Sequence, residues 1–500
     1  MMNIQEIRGM FPALSRKVYG KDLVYLDNAA TSQRPQSVID LWNDITAHSN
    51  ANIHRAVHRL ADEATQAYEG ARDAVKEFIN AQFREEVIMT SGTTASINLV
   101  AFSFGEAFIS EGDEVIVSAV EHHSNIVPWQ MMCKRKGAVL KVLPVDDDGH
   151  LMVEKLSGLL TDRTKIVAIS HISNVLGIVN PVKEIISICH SKDVPVLVDG
   201  AQGIVHCKVD VRDLDCDFYA FSGHKLYAAT GTGVLYGKKK WLDAMPPYMG
   251  GGEMVGTVTF EETTYAPLPM KFEAGTQNFA STATLKPAID IANKLINKDL
   301  IDNIDSIRDY LLDFFQKDER IRFYGVPRGT NDEKIPLFSF SVKGVHHEDL
   351  ALILDKMGIA VRSGQMCAEP LMDRFGVTGM LRVSLAPYNT MQEAEIIDFK
   401  TGEMRIKPMD MVHGKLCNGL TSIPAEIGKL TKLEQLFIAN GELASLPAEM
   451  SNLVSCTDVE LYNCPNMKEF PMALTQMPQL VTLNLANNAQ WSPEEALKGL

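Results

Sequence analysis

Lys225 lies in DFYAFSGHKLYAATGTG, just past an apolar run and flanked by Ser222, Gly223 and His224. A lysine amine so placed can condense with a carbonyl to form a Schiff base, while the short polar groups beside it reach an anion. Alone it is no more than a lysine after a strand. Asp199, 26 residues earlier in VLVDGAQG, again closes an apolar run. A carboxylate there can keep an aromatic ring nitrogen protonated by raising its pKa, and Gln202 can hydrogen-bond a phenolic oxygen. The plain alternative for this pair is an Asp-Gly turn, which accounts for Gly200 and leaves Lys225 unexplained. The segment EEVIMTSGTTASINLVAFSF supplies a strand, the turn Thr90-Ser91-Gly92-Thr93-Thr94 and a helix-forming run. Free N–H groups, hydroxyls and the positive end of a helix dipole suit a phosphate there, although the same residues serve as an ordinary N-cap. His123, in EHHSNIVPWQ, stands at a further strand end, where its ring can stack on a flat ligand. A Schiff-base lysine, a carboxylate for a pyridinium nitrogen and a phosphate turn are together what pyridoxal phosphate requires.

Cys367 is the candidate nucleophile. It follows the polar loop Arg362-Ser363-Gly364-Gln365-Met366 and does not belong to an apolar stripe. An exposed thiol near cationic groups loses its proton readily, and the thiolate is the reactive form. The other cysteines, at 133, 189, 207, 216, 417, 456 and 464, form no C-x-x-C pair. Neither a disulfide framework nor a metal site is expected, and they read as buried small apolar residues. His346-His347-Glu348 lacks the i, i+4 spacing of helical zinc ligands and reads as a helix start before Leu350, Leu352, Ile353 and Leu354.

These side chains need a scaffold that brings strand ends together. The apolar runs EVIVSAV at 114–120, KIVAISHI at 165–172, VPVLVDG at 194–200 and DFYAFSG at 217–223 alternate with amphipathic stretches of helix length. Continuous apolar strands interleaved with helices predict an α/β core around a largely parallel sheet covered on both faces, with ligands bound beyond the carboxyl ends of the strands. From about 286 the pattern turns to the helix KPAIDIANKLINKDL and shorter strands, PLFSFSV at 336–342 and MLRVSLA at 380–386, which predict a small α+β domain.

Near residue 400 the pattern changes again. Aligning LEQLFIANGELASLP, CTDVELYNCPNMKEFP and LVTLNLANN puts Leu436, Val459 and Leu483 in register at spacings of 23 and 24. Ile423-Pro424, Leu446-Pro447 and Phe470-Pro471 repeat with them; Asn418, Cys464 and Asn488 occupy the repeat's Asn/Cys position, which Gly441 takes in the second unit. This resembles a leucine-rich repeat, whose stacked units each contribute a short strand. The expected organisation is an amino-terminal arm at 1–25 packed with the small domain, a large cofactor-binding domain at 26–285, the small domain at 286–399, a linker at 400–415 and repeats at 416–500.

The 500 residues suffice for several domains and a large buried site. A formal net charge of −15 argues against nucleic acid and anionic membrane surfaces as partners. The start, MMNIQEIRGMFPAL, lacks the layout of a signal peptide and no run reaches membrane-spanning length; a cytoplasmic location is expected.

The order of turn, His, Asp and Lys at strand ends matches the fold-type I pyridoxal-phosphate enzymes and, within them, the class V aminotransferase-like branch. YLDNAATSQRPQSVID, HRAVHRLADEAT, SGTTASINLVA, EHHSNIVPWQ, SNVLGIVNPV, VDGAQ, SGHKLYAATGTGVLYG, GGGEM, FEAGTQN, RSGQMCAEPLM and RVSLAPYNT resemble the SufS-type cysteine desulfurases over about residues 3–399. The resemblance implies that Lys225 carries the Schiff base, Asp199 meets the pyridinium nitrogen, Gln202 the phenolic oxygen, and His123 stacks on the ring and moves protons. It implies Thr93, Thr94, Ser222 and His224 at the phosphate, and Thr276 reaching the phosphate of a partner subunit in a homodimer. Asn174 and Arg382, with Arg362, would hold the substrate L-cysteine, and Cys367 would take its sulfur as a persulfide, releasing alanine. No metal is implied. The persulfide would pass to a SufE- or SufU-type acceptor for iron–sulfur cluster assembly, with the repeats offering a docking surface for a protein partner.

Two departures stand out: Gln365 and Met366 occupy positions where relatives commonly carry histidines, and after YNTMQEAEIIDF the family's closing helix gives way to KTGEMRIKPMDMVHGKL. The alternatives are a selenocysteine lyase or another enzyme of the same branch, and, in a different class, a repeat protein with a vestigial enzyme domain.

Overall fold

The computed structural model describes residues 3–55, 57–296, 298–326, 334–396, 413–417, 422–431, 433–439, 443–462 and 464–485. Two compact units result, Met1–Ser341 with Leu354–Glu395, and Val342–Ile353 with Ile396–Leu500.

The four apolar runs become strands of one seven-stranded sheet. In chain order its strands are β1 (Val87–Thr90), β2 (Glu114–Ser118), β3 (Val139–Leu143), β4 (Thr164–Ser170), β5 (Val196–Asp199), β6 (Phe218–Ser222) and β7 (Gly233–Gly237), arranged β1-β7-β6-β5-β4-β2-β3. β7 runs antiparallel to both neighbours, and the remaining pairs are parallel. Because successive strand residues point to opposite faces, Val115, Val117, Ile166, Ala168 and Leu197 enter one apolar cluster, while Ile116, Val167, Ile169, Val196 and Val198 enter another. Helix α1 (Arg59–Phe78) brings Ala64, Tyr68, Ala71 and Val75 to the second cluster; helix α2 (Thr93–Phe108) brings Ile97, Val100 and Phe104 to the first. With both faces buried there is no polar side to alternate, which is why these strands are continuously apolar.

The carboxyl ends of β4 and β5 fall level, since Ser170 pairs with Asp199, while β6 runs two residues further, to Ser222, Asp199 pairing with Ala220. On the far side of β6, Gly233 at the start of β7 passes so close to the turn before α2 that a Cβ would lie 2.4 Å from the Gly92 Cα. Only glycine permits this approach, and it holds the α2 amino terminus against the β6 end.

The same unit contains a second sheet of β8 (Ile321–Tyr324), β9 (Leu337–Val342), β10 (Arg362–Gly364) and β11 (Met380–Ser384), ordered β8-β9-β11-β10. β11 is antiparallel to β9 and β10, with Arg362 directly opposite Arg382. Val24–Tyr25 pairs in parallel with Ile359–Ala360, and Arg8 forms a 2.9 Å ion pair with Glu393. A helix covers Met391–Glu395; the question of a closing helix beyond it falls on residues outside those described.

A helix does begin at His347 and runs to Lys356. The expected stripe is narrower than predicted: Leu350 and Leu354 are buried one turn apart, but Leu352 is half exposed because it lies roughly half a turn away from both. No group of three metal-ligating side chains occurs among the described residues.

In the carboxy-terminal unit, β12 (His413–Cys417), β13 (Gln435–Ala439), β14 (Asp458–Tyr462) and β15 (Thr482–Asn484) form a parallel ladder. Leu436, Val459 and Leu483, aligned by the sequence repeat, are Cα partners. Short 3₁₀ turns after Pro424, Pro447 and Pro471 return the chain between strands. Leu436, Ile438, Val459, Leu461 and Cys464 share one apolar core. Asn418, Gly441 and Asn488 lie outside the described residues.

Candidate active site

Beyond the carboxyl ends of β4, β5 and β6 is a cleft lined by Thr93, Thr94, Asn174, Asp199, Gln202, Ser222, His224, Lys225, Arg362, Cys367 and Arg382. The side chains singled out by spacing and by the family resemblance therefore converge from elements far apart in the chain. Lys225 follows β6 in a tight turn, with its amide donating to Ser222 O at 3.4 Å. Burial pushes its amine down to about 8, opposed by the attraction of Asp199. Asp199, the last residue of β5, is buried, and desolvation raises its carboxyl above the ordinary range although the Ala201 amide donates to it at 2.9 Å.

At the α2 amino terminus the Thr93 amide donates to Ser222 Oγ at 2.8 Å, and the two hydroxyls are also 2.8 Å apart. The terminus thus presents hydroxyls and N–H groups to the cleft at the positive end of the helix dipole. His224 Nδ1 lies 3.2 Å from Thr31 Oγ1, and burial together with Lys225 lowers its pKa to about 4. Gln202 donates to Ala29 O at 2.8 Å.

The cysteine loop is held from the large sheet. The His123 amide donates to Cys367 O and the Asn174 side chain to Met366 O, each at 2.8 Å. Between these anchors Met366 and Cys367 adopt consecutive left-handed conformations, φ 54° and 55°. Such conformations cost non-glycine residues roughly 1–3 kcal/mol each and persist only where the surroundings over-determine them. Cys367 is the exposed cysteine of the described set. Arg382, at the centre of β11, is buried and sends Nη1 to Asn174 O at 2.8 Å and Nη2 to Asp27 Oδ1 at 3.2 Å.

Two predicted residues do not line the cleft. His123 turns its ring towards Glu369, with Nε2 accepting from the Glu369 amide at 3.3 Å, while its neighbour His122 faces the cleft and is lowered to about 4 by burial and Lys225. Thr276 is exposed. Spacing did not reveal Glu121, which is buried behind the histidines. It accepts from Asn125 Nδ2 at 2.7 Å and the Ser170 amide at 2.8 Å, and burial lifts its carboxyl to about 7. Its one sequence signal is a charged residue at a strand end beside His122 and His123.

Comparison with known proteins places this geometry. The model of the class-V aminotransferases matches residues 24–397. A cysteine desulfurase of Cronobacter sakazakii is 46% identical over 394 residues, covering 79% of this chain and 96% of that protein. A probable cysteine desulfurase of Halalkalibacterium halodurans is 45% identical with the same coverage of both. Among solved structures, the cysteine desulfurase CsdA of Escherichia coli is 40% identical with a TM-score of 0.72, covering 79% of this chain and 96% of that one. The apo cysteine desulfurase of Thermococcus onnurineus is 32% identical with a TM-score of 0.75, covering 80% and 98%. Fold and cleft thus define a pyridoxal-phosphate enzyme of the class-V aminotransferase type, and the chain belongs to that family. Within it the chain is a member of the cysteine desulfurases.

The donor set fits the cofactor. A buried amine with a depressed pKa, a buried carboxylate on the neighbouring strand end and a hydroxyl-rich helix amino terminus face one cleft. No helix among the described residues is long and apolar enough to cross a membrane.

Proposed function

We propose that the cleft takes L-cysteine and that Cys367 receives its sulfur. The observation that carries this reading is that Cys367 and Lys225 line the same cleft. Lys225 would hold pyridoxal phosphate, with Asp199 at the ring nitrogen, Gln202 at the phenolic oxygen, and Thr93, Thr94, Ser222 and His224 at the phosphate; His123 would reach the ring only on releasing the Glu369 amide. Thr276 would serve a partner subunit's phosphate in a homodimer. When bound, the cofactor supplies an electron sink for charge developing at the substrate Cα.

Arg382, Asn174 and Arg362 orient the substrate carboxylate, the guanidinium fork matching its two oxygens. An amine with a pKa of about 8 keeps an appreciable free-base fraction near neutrality, which lets Lys225 remove the Cα proton. The Cys367 thiolate attacks the substrate sulfur; an S–S bond forms, the C–S bond breaks and the carbon takes a proton, so that cysteine leaves as alanine and Cys367 keeps a persulfide. Cys367→Ala should abolish sulfide release from L-cysteine in the presence of a reductant while preserving the yellow cofactor absorbance; undiminished release would overturn the reading.

We further infer a SufS-like role, with the persulfide handed to a SufE- or SufU-type acceptor in cytoplasmic iron–sulfur cluster assembly, and an organisation of arm 1–25, large domain 26–285, small domain 286–399, linker 400–415 and leucine-rich repeats 416–500. The motif string of the first four hundred residues supports the former. The parallel ladder with its proline-led returns supports the latter. A stack of this kind presents an extended surface suited to a protein partner.

A further inference from the structure

The turn that follows β4 meets the second sheet through its carbonyls. Four in succession accept from residues in that sheet or just before it: Asn174 O from Arg382 Nη1 at 2.8 Å, Val175 O from Ser339 Oγ at 2.5 Å, Leu176 O from Lys334 Nζ at 2.5 Å and Gly177 O from the Ile335 amide at 2.9 Å. Buried carbonyls need partners, and here three of the four donors are side chains, so the turn is held by residue identity as well as by backbone pairing. Ser339 is fully buried. Lys334 is 3% exposed, and burial pushes its amine down to about 7. Among the described residues no carboxylate answers it; the Phe323 and Phe338 rings lie 5.1 and 5.4 Å from Nζ. The amine carries N–H donors whether charged or neutral, so the bond to Leu176 O survives loss of the extra proton.

Asn174 stands at the head of this turn and lines the cleft. Its side-chain nitrogen has two hydrogens. One goes to Met366 O at 2.8 Å, which leaves the other for a ligand. Arg382 has an anchor outside the turn in Asp27, whose Oδ2 also lies 3.8 Å from Arg362 Nη1. The aim of the Asn174 amide depends instead on the turn that carries it. We propose that Lys334 and Ser339 are positioning residues for the substrate carboxylate, fixing the turn so that the Asn174 amide is aimed into the cleft. The proposal rests on the reading that Asn174 holds that carboxylate. Neither Lys334 nor Ser339 lines the cleft, and both act on the substrate through Asn174.

Lys334→Met keeps the reach of the side chain and removes its donors. It should raise KM for L-cysteine about three- to tenfold, the worth of one hydrogen bond. With kcat within about twofold of the parent, the loss falls equally on bound substrate and transition state. Pyridoxal-phosphate affinity, which draws on Lys225, Asp199 and the α2 turn, should stay within about twofold. Ser339→Ala should shift KM in the same direction, and it decides alone should Lys334→Met not fold. In an Asn174→Ala background, Lys334→Met should change KM by less than about twofold, because the amide through which it acts is gone. An unchanged KM in the single variants, a loss of cofactor affinity as large as the rise in KM, or the full effect persisting in the Asn174→Ala background would each overturn the role of the two residues. Asn174→Ala alone separates this failure from failure of the underlying reading. A raised KM upholds carboxylate binding by Asn174, whereas an unchanged KM would overturn that reading and the proposal together.

Discussion

Lys225 carries its amine into a site where charge is expensive. Burial lowers it from 10.5 to about 8, and Asp199 limits the fall. The sign follows from comparing folded and unfolded chains. Between about 8 and 10.5 the unfolded chain holds a proton that the folded one has released, so the cost to stability is fully present below about 8 and is relieved as pH rises towards 10.5. Below neutrality the amine is protonated and unavailable as a base. In the cofactor-free protein, acylation of Lys225 followed by peptide mass analysis should therefore titrate with a midpoint near 8, and Asp199→Asn should lower that midpoint further. A midpoint at the ordinary lysine value, or one raised by Asp199→Asn, would contradict this account.

At the scale of elements, the cleft depends on contacts that local propensity does not reward. The α2 amino terminus meets β6 because Gly92 and Gly233 let two backbones approach where a Cβ on Gly233 would lie 2.4 Å from Gly92 and 2.7 Å from Phe221 O. Both obstacles are backbone, so the strand and the turn must separate to admit a methyl group. Gly233→Ala should destabilise the protein by about 1–3 kcal/mol, the usual cost of overpacking, measured by urea unfolding. It should also weaken pyridoxal-phosphate affinity more than Gly158→Ala, whose added Cβ meets nothing within 4 Å and whose backbone lies outside the left-handed region. Equal affinities in the two variants would show that the close approach does not shape the phosphate turn. The cysteine loop follows the same logic, its left-handed pair held from outside by His123 and Asn174.

At the scale of the molecule, the enzyme fold and the carboxy-terminal ladder have separate apolar cores, and residues beyond 397 lie outside the range of the family match. Among the described residues, those that line the cleft belong to the first unit. Deleting residues 416–500 should leave basal alanine formation within about twofold, while acceptor-stimulated turnover falls if the ladder is a docking surface. Unchanged stimulation by the acceptor would dispose of the docking role.

The alternation of continuous apolar runs with helices was enough to predict a two-sided, mostly parallel sheet, because a strand buried on both faces leaves that trace in composition. It was enough, too, to place Asp199 at a strand end, Lys225 just past one and Thr93 and Thr94 at the opening of a helix, and to align Leu436, Val459 and Leu483, since a stack repeats its core position at a fixed interval. Which of two adjacent histidines faces the cleft was decided only by the fold, because side-chain direction in a short 3₁₀ turn depends on what packs around it. The bridge from Asp27 to Arg362 and Arg382 spans more than three hundred residues of chain and follows from strand pairing, not spacing. The displaced pKa values of Lys225 and Glu121 are likewise tertiary, for desolvation exists only once other parts of the chain have excluded the water.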